Sequence, residues 1–450
     1  MRPNPLAFAL LLSSLAAAGV AAQQRAAARP TGGCRFQLQH VGGIGQQIVA
    51  GADTNYYANG GVRLMCADSS ARISSDSLAL FGRGRSTVVE FIGHVVYEDS
   101  ITTQSADRGT YYRDGDRWEA RGKVSTINRR DSSTIQGPAL DYFRTVPGVR
   151  DTVELFAVGR PTIRSFPKDT GRTRPEPYLI IADRVRMKGN DRTWAGGTVT
   201  IDRSDFSARG DSLFLDSGTG NEGRLLGAPM LKGLGRDGFE LHGRRIDLSL
   251  ERQAITYVKA LGEAHAISAD VDLVADTIGL DLDQEKLVQT IAWGDSLKPR
   301  ALTADYEIRG DSLAFDTPGQ QLTEIRAYRG AWVGGKLDSL SRERDWITGD
   351  TVVAGFSRSD SAGTSRTILR QLAAAGRARS YYRIVDKKTN EARPSINYSR
   401  GDRITVRMKT SGQRGVDQVK IDGHVDGVHL RPVIPEPDTT GSVAPTRGGR

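Results

Sequence analysis

Hydrophobic and polar residues alternate with period two along most of this chain, and two kinds of short punctuation interrupt the alternation at regular intervals. After a glycine at 61, 93, 122, 197 or 262 come Val62/Leu64, Val95/Tyr97, Val124/Thr126, Val199/Ile201 and Ala264/Ala266, always on one parity. After a small or acidic residue come Leu78/Leu80, Leu213/Leu215, Ile278/Leu280/Leu282, Leu313/Phe315 and Ile404/Val406/Met408. The intervening positions carry Arg, Lys, Ser, Thr, Asp and Glu. Such alternation is the mark of a strand with one packed and one solvated face. Leu369–Ala375 is the best helical candidate, yet it runs into Gly376 on the same cadence and is also read as strand. The chain therefore predicts an all-β protein.

The glycine phrase returns at Gly61, Gly93, Gly122, Gly159, Gly197, Gly227, Gly262, Gly294, Gly330, Gly376 and Gly423. Between these glycines sit Asp107, Asp183, Asp211, Asp276, Asp311, Asp350 and Asp402. A recurring period of this size means a repetitive architecture. Each repeat reads as two strands and two turns. Stacked as hairpin-like rungs about 4.8 Å apart, roughly ten of them would extend about 45 to 50 Å. Asn59-Gly60, Asp114-Gly115, Ser217-Gly218 and Ser411-Gly412 supply turn chemistry between strands. Pro161–Pro177 reads as a long loop or a boundary, and Gly334–Trp346 and Ser357–Ser365 as protruding loops. The resulting organisation is a signal peptide at 1–22, an N-terminal segment at 23–56, β repeats at 57–165 continuous with more at 176–432, and a disordered tail at 433–450.

Composition fits a long, thin structure better than a large globular core, with 38% hydrophobic and 7% aromatic residues in 450. Arg2, the apolar run Leu6–Val20 and the small residues Val20-Ala21-Ala22 read as an export signal. Only two cysteines occur, Cys34 and Cys66. In an oxidising compartment they would close one loop, worth roughly 3 kcal/mol on chain-entropy grounds; two free thiols are the alternative. The net charge of +9 favours anionic partners, but the arginines are scattered, which argues against nucleic acid and for anionic lipid or glycolipid.

Two phrases, Ser105-Ala106-Asp107-Arg108-Gly109-Thr110-Tyr111-Tyr112 and Trp118-Glu119-Ala120-Arg121-Gly122-Lys123-Val124, resemble the OstA-like family. That family includes the periplasmic lipopolysaccharide-transport protein LptA and the N-terminal domain of LptD. Ile181-Ala182-Asp183-Arg184-Val185 and Ile421-Asp422-Gly423-His424-Val425 are similar, so the resemblance covers most of 57–432. It implies an elongated β-jellyroll, or β-taco, with an apolar inner groove. It also implies a periplasmic, exported protein at or near the outer membrane that shields lipopolysaccharide or a related glycolipid in transit and docks end-to-end with other Lpt-type envelope proteins. No cofactor is implied. The chain is longer than a single LptA-like unit and lacks the transmembrane strand array expected of LptD.

Signatures of catalysis are absent from the sequence: there is no HExxH, no CxxC and no phosphate-binding glycine loop. His94 and His424 follow a repeat glycine and read as polar turn residues. Asp276, Asp281 and Asp283 suggest a cation site, which strand alternation explains more simply. No enzyme and no metal site is expected. Lipid contact falls to the inward parity, with Val95, Tyr97, Val124, Val199, Ile201, Leu213, Leu215, Ile278, Leu280, Leu313 and Phe315 as groove candidates. Arg309 is placed on an outward turn. The competing reading is a structural or adhesive β-solenoid whose core these residues simply fill.

Overall fold

The structure is a computed structural model. It describes residues 34–432 apart from 52, 68, 167–175, 190, 235–237, 252–253, 284–285, 336–342, 362–363, 385–393 and 410–415. The expected signal peptide, the tail and Ser411-Gly412 lie outside the described residues.

Among the described residues there are 32 strands, two short 3₁₀ turns and no α-helix. The strands form one antiparallel meander folded lengthwise. Each pass of the chain is a rung bent at a corner into two arms. Arm A carries, in successive rungs, 117–121, 139–143, 154–158, 184–188, 192–196 and 212–216. Arm B carries 124–128, 134–137, 162–165, 178–181 and 199–203. Ten rungs are interrupted at the corner into two strands and twelve run through as one, which uses all 32 strands and gives 22 rungs. Where interrupted rungs lie between continuous ones, the pairing closes a ring. Thr134–Phe143 pairs with Glu154–Val158 and Thr162–Ser165, which pair with Arg184–Lys188 and Tyr178–Ile181, and both of these pair with Arg192–Arg203.

The two phrases of the sequence are two kinds of corner. In one rung a glycine and its successor both adopt left-handed backbone, as at Gly122 (φ 73°) with Lys123 (φ 40°) and Gly197 (φ 75°) with Thr198 (φ 44°). The register skips this pair, as between Ser105/Ser125 and Arg108/Arg121, so the strand turns from one arm into the other. In the adjoining rung the corner is an aspartate lying over that glycine. A Cβ on Gly122 would come 2.6 Å from Asp107 Oδ2, and Asp183 crowds Gly197 in the same way. The residue after the glycine often reaches back to the same carboxylate: His94 Nδ1 to Asp76 at 2.8 Å, Arg377 Nε to Asp350 at 3.1 Å and His424 Nδ1 to Asp402 at 2.9 Å. His94 is accordingly held above its ordinary pKa, chiefly by the hydrogen bond to Asp76 and then by that charge.

The glycine therefore sits in the middle of a rung, where hairpin turns were expected. Asn59-Gly60 is likewise a corner between Asp53–Ala58 and Val62–Cys66, whereas Asp114-Gly115 and Ser217-Gly218 do join successive rungs. Each repeat contributes two rungs instead of one. The 21 steps between 22 rungs at about 4.8 Å amount to about 100 Å along the ladder, twice the expected reach.

Other expectations shift too. Ser357–Ser361 belongs to the strand Trp346–Ser361, which pairs with Thr364–Ile384 out to Ser361↔Thr364. The sequence predicts a loop here because Ser357-Arg358-Ser359-Asp360-Ser361 is polar at every position and has no alternation to read. Within the expected loop Pro161–Pro177, Thr162–Ser165 is a strand paired on both sides, so the ladder crosses the region unbroken. Pro161 is accommodated because it opens an arm right after a corner. Arg309 is not a free outward residue: it bonds Glu307 Oε1 at 2.7 Å through Nε, and its guanidinium lies 5.0 Å from the Trp332 ring centroid. Glu307, whose side chain is 5% exposed, also receives Arg344 at 2.5 Å.

One apolar cluster runs between the arms from Cys34 to Val406. Cys34 and Cys66 are joined by a disulfide, with Cα atoms 5.5 Å apart.

Candidate functional site

The interior is not filled uniformly. Between the arms, around rungs 117–128 to 254–268, lies a cavity of about 420 Å³. Its floor is aliphatic: Ile135, Ile163, Ile180 and Ile201 from arm B face Leu155, Met187, Leu215 and Leu248 from arm A. These side chains alternate with solvent-facing neighbours along each short strand, so period two alone turns them inward. At the arm tips the lining becomes polar, with Asn128, Asp131 and Ser133 on one side and Thr145, Asp151, Gly189, Asp191 and Ser217 on the other. Asp131, Thr145 and Asp151 are exposed, so this lip faces solvent. Arginine adjoins each lip aspartate: Arg130 precedes Asp131, Arg150 precedes Asp151 and Arg192 follows Asp191. Arg192 is paired with Asp216 at 3.1 Å, and backbone N–H groups of Gly218 and Gly220 also point at that carboxylate. These contacts outweigh burial, the largest single influence and an opposing one, and hold Asp216 below its ordinary pKa.

Toward the N-terminus the cavity ends against an aromatic block. Trp118 is 1% exposed and packs 5.6 Å from Phe91 and 5.7 Å from Tyr97, centroid to centroid. Tyr97 in turn lies 6.2 Å from Tyr142, which forms part of the cavity wall. Every polar atom at the heart of the block has a partner. Trp118 Nε1 donates to Gln104, whose Nε2 donates to Thr126 at 2.7 Å. Tyr97 donates to Asp99 at 2.8 Å, Tyr111 donates to Asp116 at 2.8 Å, and Arg144 lies 3.6 Å from Asp116. Burial, reinforced by Asp99, pushes the Tyr142 hydroxyl up to about 12, and Tyr97 and Tyr111 are raised further for the same leading reason.

Toward the C-terminus two smaller cavities continue the line, about 140 Å³ and about 90 Å³. The first shares Tyr178 and Ile255 with the large cavity, and the second shares Phe239, Leu287 and Gln320 with the first.

No family model matches the chain, and no curated protein matches it. Among the described residues no helix is long and apolar enough to cross a membrane, and no group of three or more His, Cys, Asp or Glu side chains stands ready for a metal ion. Asp276, in the expected acidic cluster, is a corner residue that accepts the N–H groups of Ser296 at 2.8 Å and Leu297 at 3.0 Å.

Of the groove candidates, Ile201 and Leu215 line the large cavity, and Leu280 and Phe315 line the smallest. Val95, Tyr97, Val124, Val199, Leu213, Ile278 and Leu313 are buried in packed interior, each 3% exposed or less. Sequence reasoning missed Ile135, Leu155, Ile163 and Ile180. The first two are readable from alternation in Thr134–Gln136 and Glu154–Ala157; Ile163 was lost to the presumed proline loop.

Proposed function

We propose that this protein is a lipid-binding protein of the cell envelope. On this reading it shields acyl chains of lipopolysaccharide or a related glycolipid between its arms during transport to the outer membrane, with the folded ladder acting as the β-jellyroll of the OstA-like resemblance. The observation that carries the reading is the 420 Å³ cavity, aliphatic at its floor and polar at its lip. Its volume lies within the ~300–1,000 Å³ of ordinary ligand sites. Each methylene moved from water into such a site gains about 0.8 kcal/mol, so an acyl chain has a strong reason to enter. A size of this order suits an acyl chain rather than a whole multi-chain lipid. The sugar portion would then sit at the lip, where Asp131, Asp151 and Asp191 offer acceptors for hydroxyls and Asn128, Ser133 and Thr145 offer both donors and acceptors. The competing solenoid with a filled core is disfavoured by the same cavity.

End-to-end partnership is part of the proposal. Among the described residues, Phe36–Val41 with Gly45–Ala50 at one end and Val416–Asp422 with Asp426–Leu430 at the other pair on one side only. They expose Leu38, Ile48 and Val49, and Val425, Val428 and Leu430. Unpaired edges with apolar side chains accept further strands. Val62 is no part of either edge: its strand pairs on both sides in the second rung, and it is 1% exposed.

The deciding experiment is mass spectrometry of organic extracts from protein purified without detergent. A stoichiometric glycolipid or acyl species is expected; a protein that carries no lipid, and takes none up from vesicles, sinks the reading.

A further inference from the structure

The row of cavities is interrupted, and the interruptions are individual side chains. Tyr178 on arm B and Ile255 on arm A both stand at the boundary between the large cavity and its neighbour; each is 8% exposed and each borders both spaces. Tyr178 is held from three directions. Its hydroxyl accepts from Arg203 Nη1 at 3.0 Å, the same guanidinium lies 4.6 Å from its ring centroid, and Phe206 meets it edge-on at 6.3 Å. Arg203 is anchored in turn by both carboxylate oxygens of Asp205, at 2.6 and 2.8 Å, and its side chain is only 6% exposed. A ring clamped by a buried, ion-paired cation on one face and an aromatic edge on another keeps one rotamer, since leaving it would strand a desolvated charge. The wall is therefore built to stay in place.

We propose that Tyr178, backed by Arg203 and faced by Ile255, is the specificity-determining stop that limits how long an acyl chain the large cavity accepts. This rests on the lipid-binding reading above. A chain entering at the polar lip lies along the aliphatic floor and halts at Tyr178; the 140 Å³ beyond is reachable only if the wall is removed. Within the cavity each added methylene improves affinity about fourfold, from ~0.8 kcal/mol apiece, and past the stop the gain ceases.

The test measures binding of straight-chain fatty acids from octanoate to stearate, by displacement of a fluorescent fatty acid, to the full chain and to three variants. In the wild type, affinity climbs with chain length and reaches a ceiling. Tyr178→Ala and, independently, Ile255→Ala move the ceiling to longer chains, while Tyr178→Phe, which keeps the ring, leaves it where it was. Thermal melts verify that the variants are folded, and Ile255→Ala carries the test if Tyr178→Ala does not fold. Binding in the wild type with an unchanged ceiling in folded Tyr178→Ala or Ile255→Ala overturns the stop and leaves the lipid reading intact. Absence of binding at every chain length in the wild type overturns both.

Discussion

Rungs 88–98 to 117–128 and rungs 134–143 to 239–251 are built on the same corner ladder, yet the first group is solid and the second hollow. The glycine corner does not separate them, because Gly122 against Asp107 and Gly197 against Asp183 are matching arrangements of glycine, left-handed successor and overlying carboxylate. What differs is the inward residue farther along each arm. In the first group it is Phe91, Tyr97, Tyr111 or Trp118, large enough to reach across to the opposite arm. In the second it is Ile135, Leu155, Ile163, Ile180 or Ile201, and two aliphatic side chains from opposing arms leave space between them. A repeated frame thus sets where the arms run, and side-chain volume sets what lies between them.

The sharpest way to break this comparison is to empty the solid section. Trp118→Ala should cost about 3–5 kcal/mol in denaturant unfolding, because a fully packed ring is lost and Gln104 is left without its donor. Ile180→Ala, in the cavity wall, should cost about 2 kcal/mol, the low end for such truncations, because that side chain already lacks neighbours on one side. Equal losses at the two sites would mean that the hollow section is packed as tightly as the solid one.

The ladder itself should behave alike in both sections. Gly122→Ala and Gly197→Ala each force a Cβ onto a left-handed backbone and into an aspartate, at a cost of about 1–3 kcal/mol. Thermal melts that differ by more than the range of that estimate between the two sites would show that the corners are not equivalent. Arg309→Glu, on a corner of the later rungs, is expected to cost about 1–2 kcal/mol. It sets a carboxylate beside buried Glu307, which keeps Arg344, and half of the Arg309 side chain is exposed, which tempers the loss.

Alkaline pH should soften the solid section and the Tyr142 wall beside it most. The Tyr97, Tyr111 and Tyr142 hydroxyls are raised above the ordinary value of 10.0, so the fold favours their neutral forms. That contribution is complete below pH 10 and is lost as pH rises through the folded values, from 10 toward 12 for Tyr142 and higher for the other two. The melting temperature should fall over this range, and Tyr97→Phe should fall less steeply. A parallel decline in both proteins, followed by tyrosinate absorbance, would remove the buried phenols as the cause.

Much of this was legible in the residues. Period two identified the strands and their inward parity, since alternation is a local property of a pleated chain. The recurring glycine and aspartate marked most corners; Pro138 over Gly159 and Arg244 over Gly262 stand where the aspartate is elsewhere. Whether a glycine ends a rung or bends it was not legible, because both uses need the same positive φ; only the pairing of Val124 with Gly137 on one side of the corner and Arg121 with Ala139 on the other distinguishes them. That ambiguity halved the expected length. The polar hairpin at Ser357–Ser361 was missed because strands beyond the core carry no alternation.

The sequence by itself determined an all-β ladder, its cadence, the inward residues and the cysteine pair near its start. Only the tertiary structure decided which inward residues are sealed and which line a space. Val199 and Ile201 share one strand, one parity and one face, yet Val199 is packed beside the corner and Ile201, two residues nearer the tip, borders the cavity. Distance from the corner fixes how far apart the arms are, and the size of the side chain on the opposite arm fixes whether that gap is filled; neither quantity is written in the neighbours along the chain.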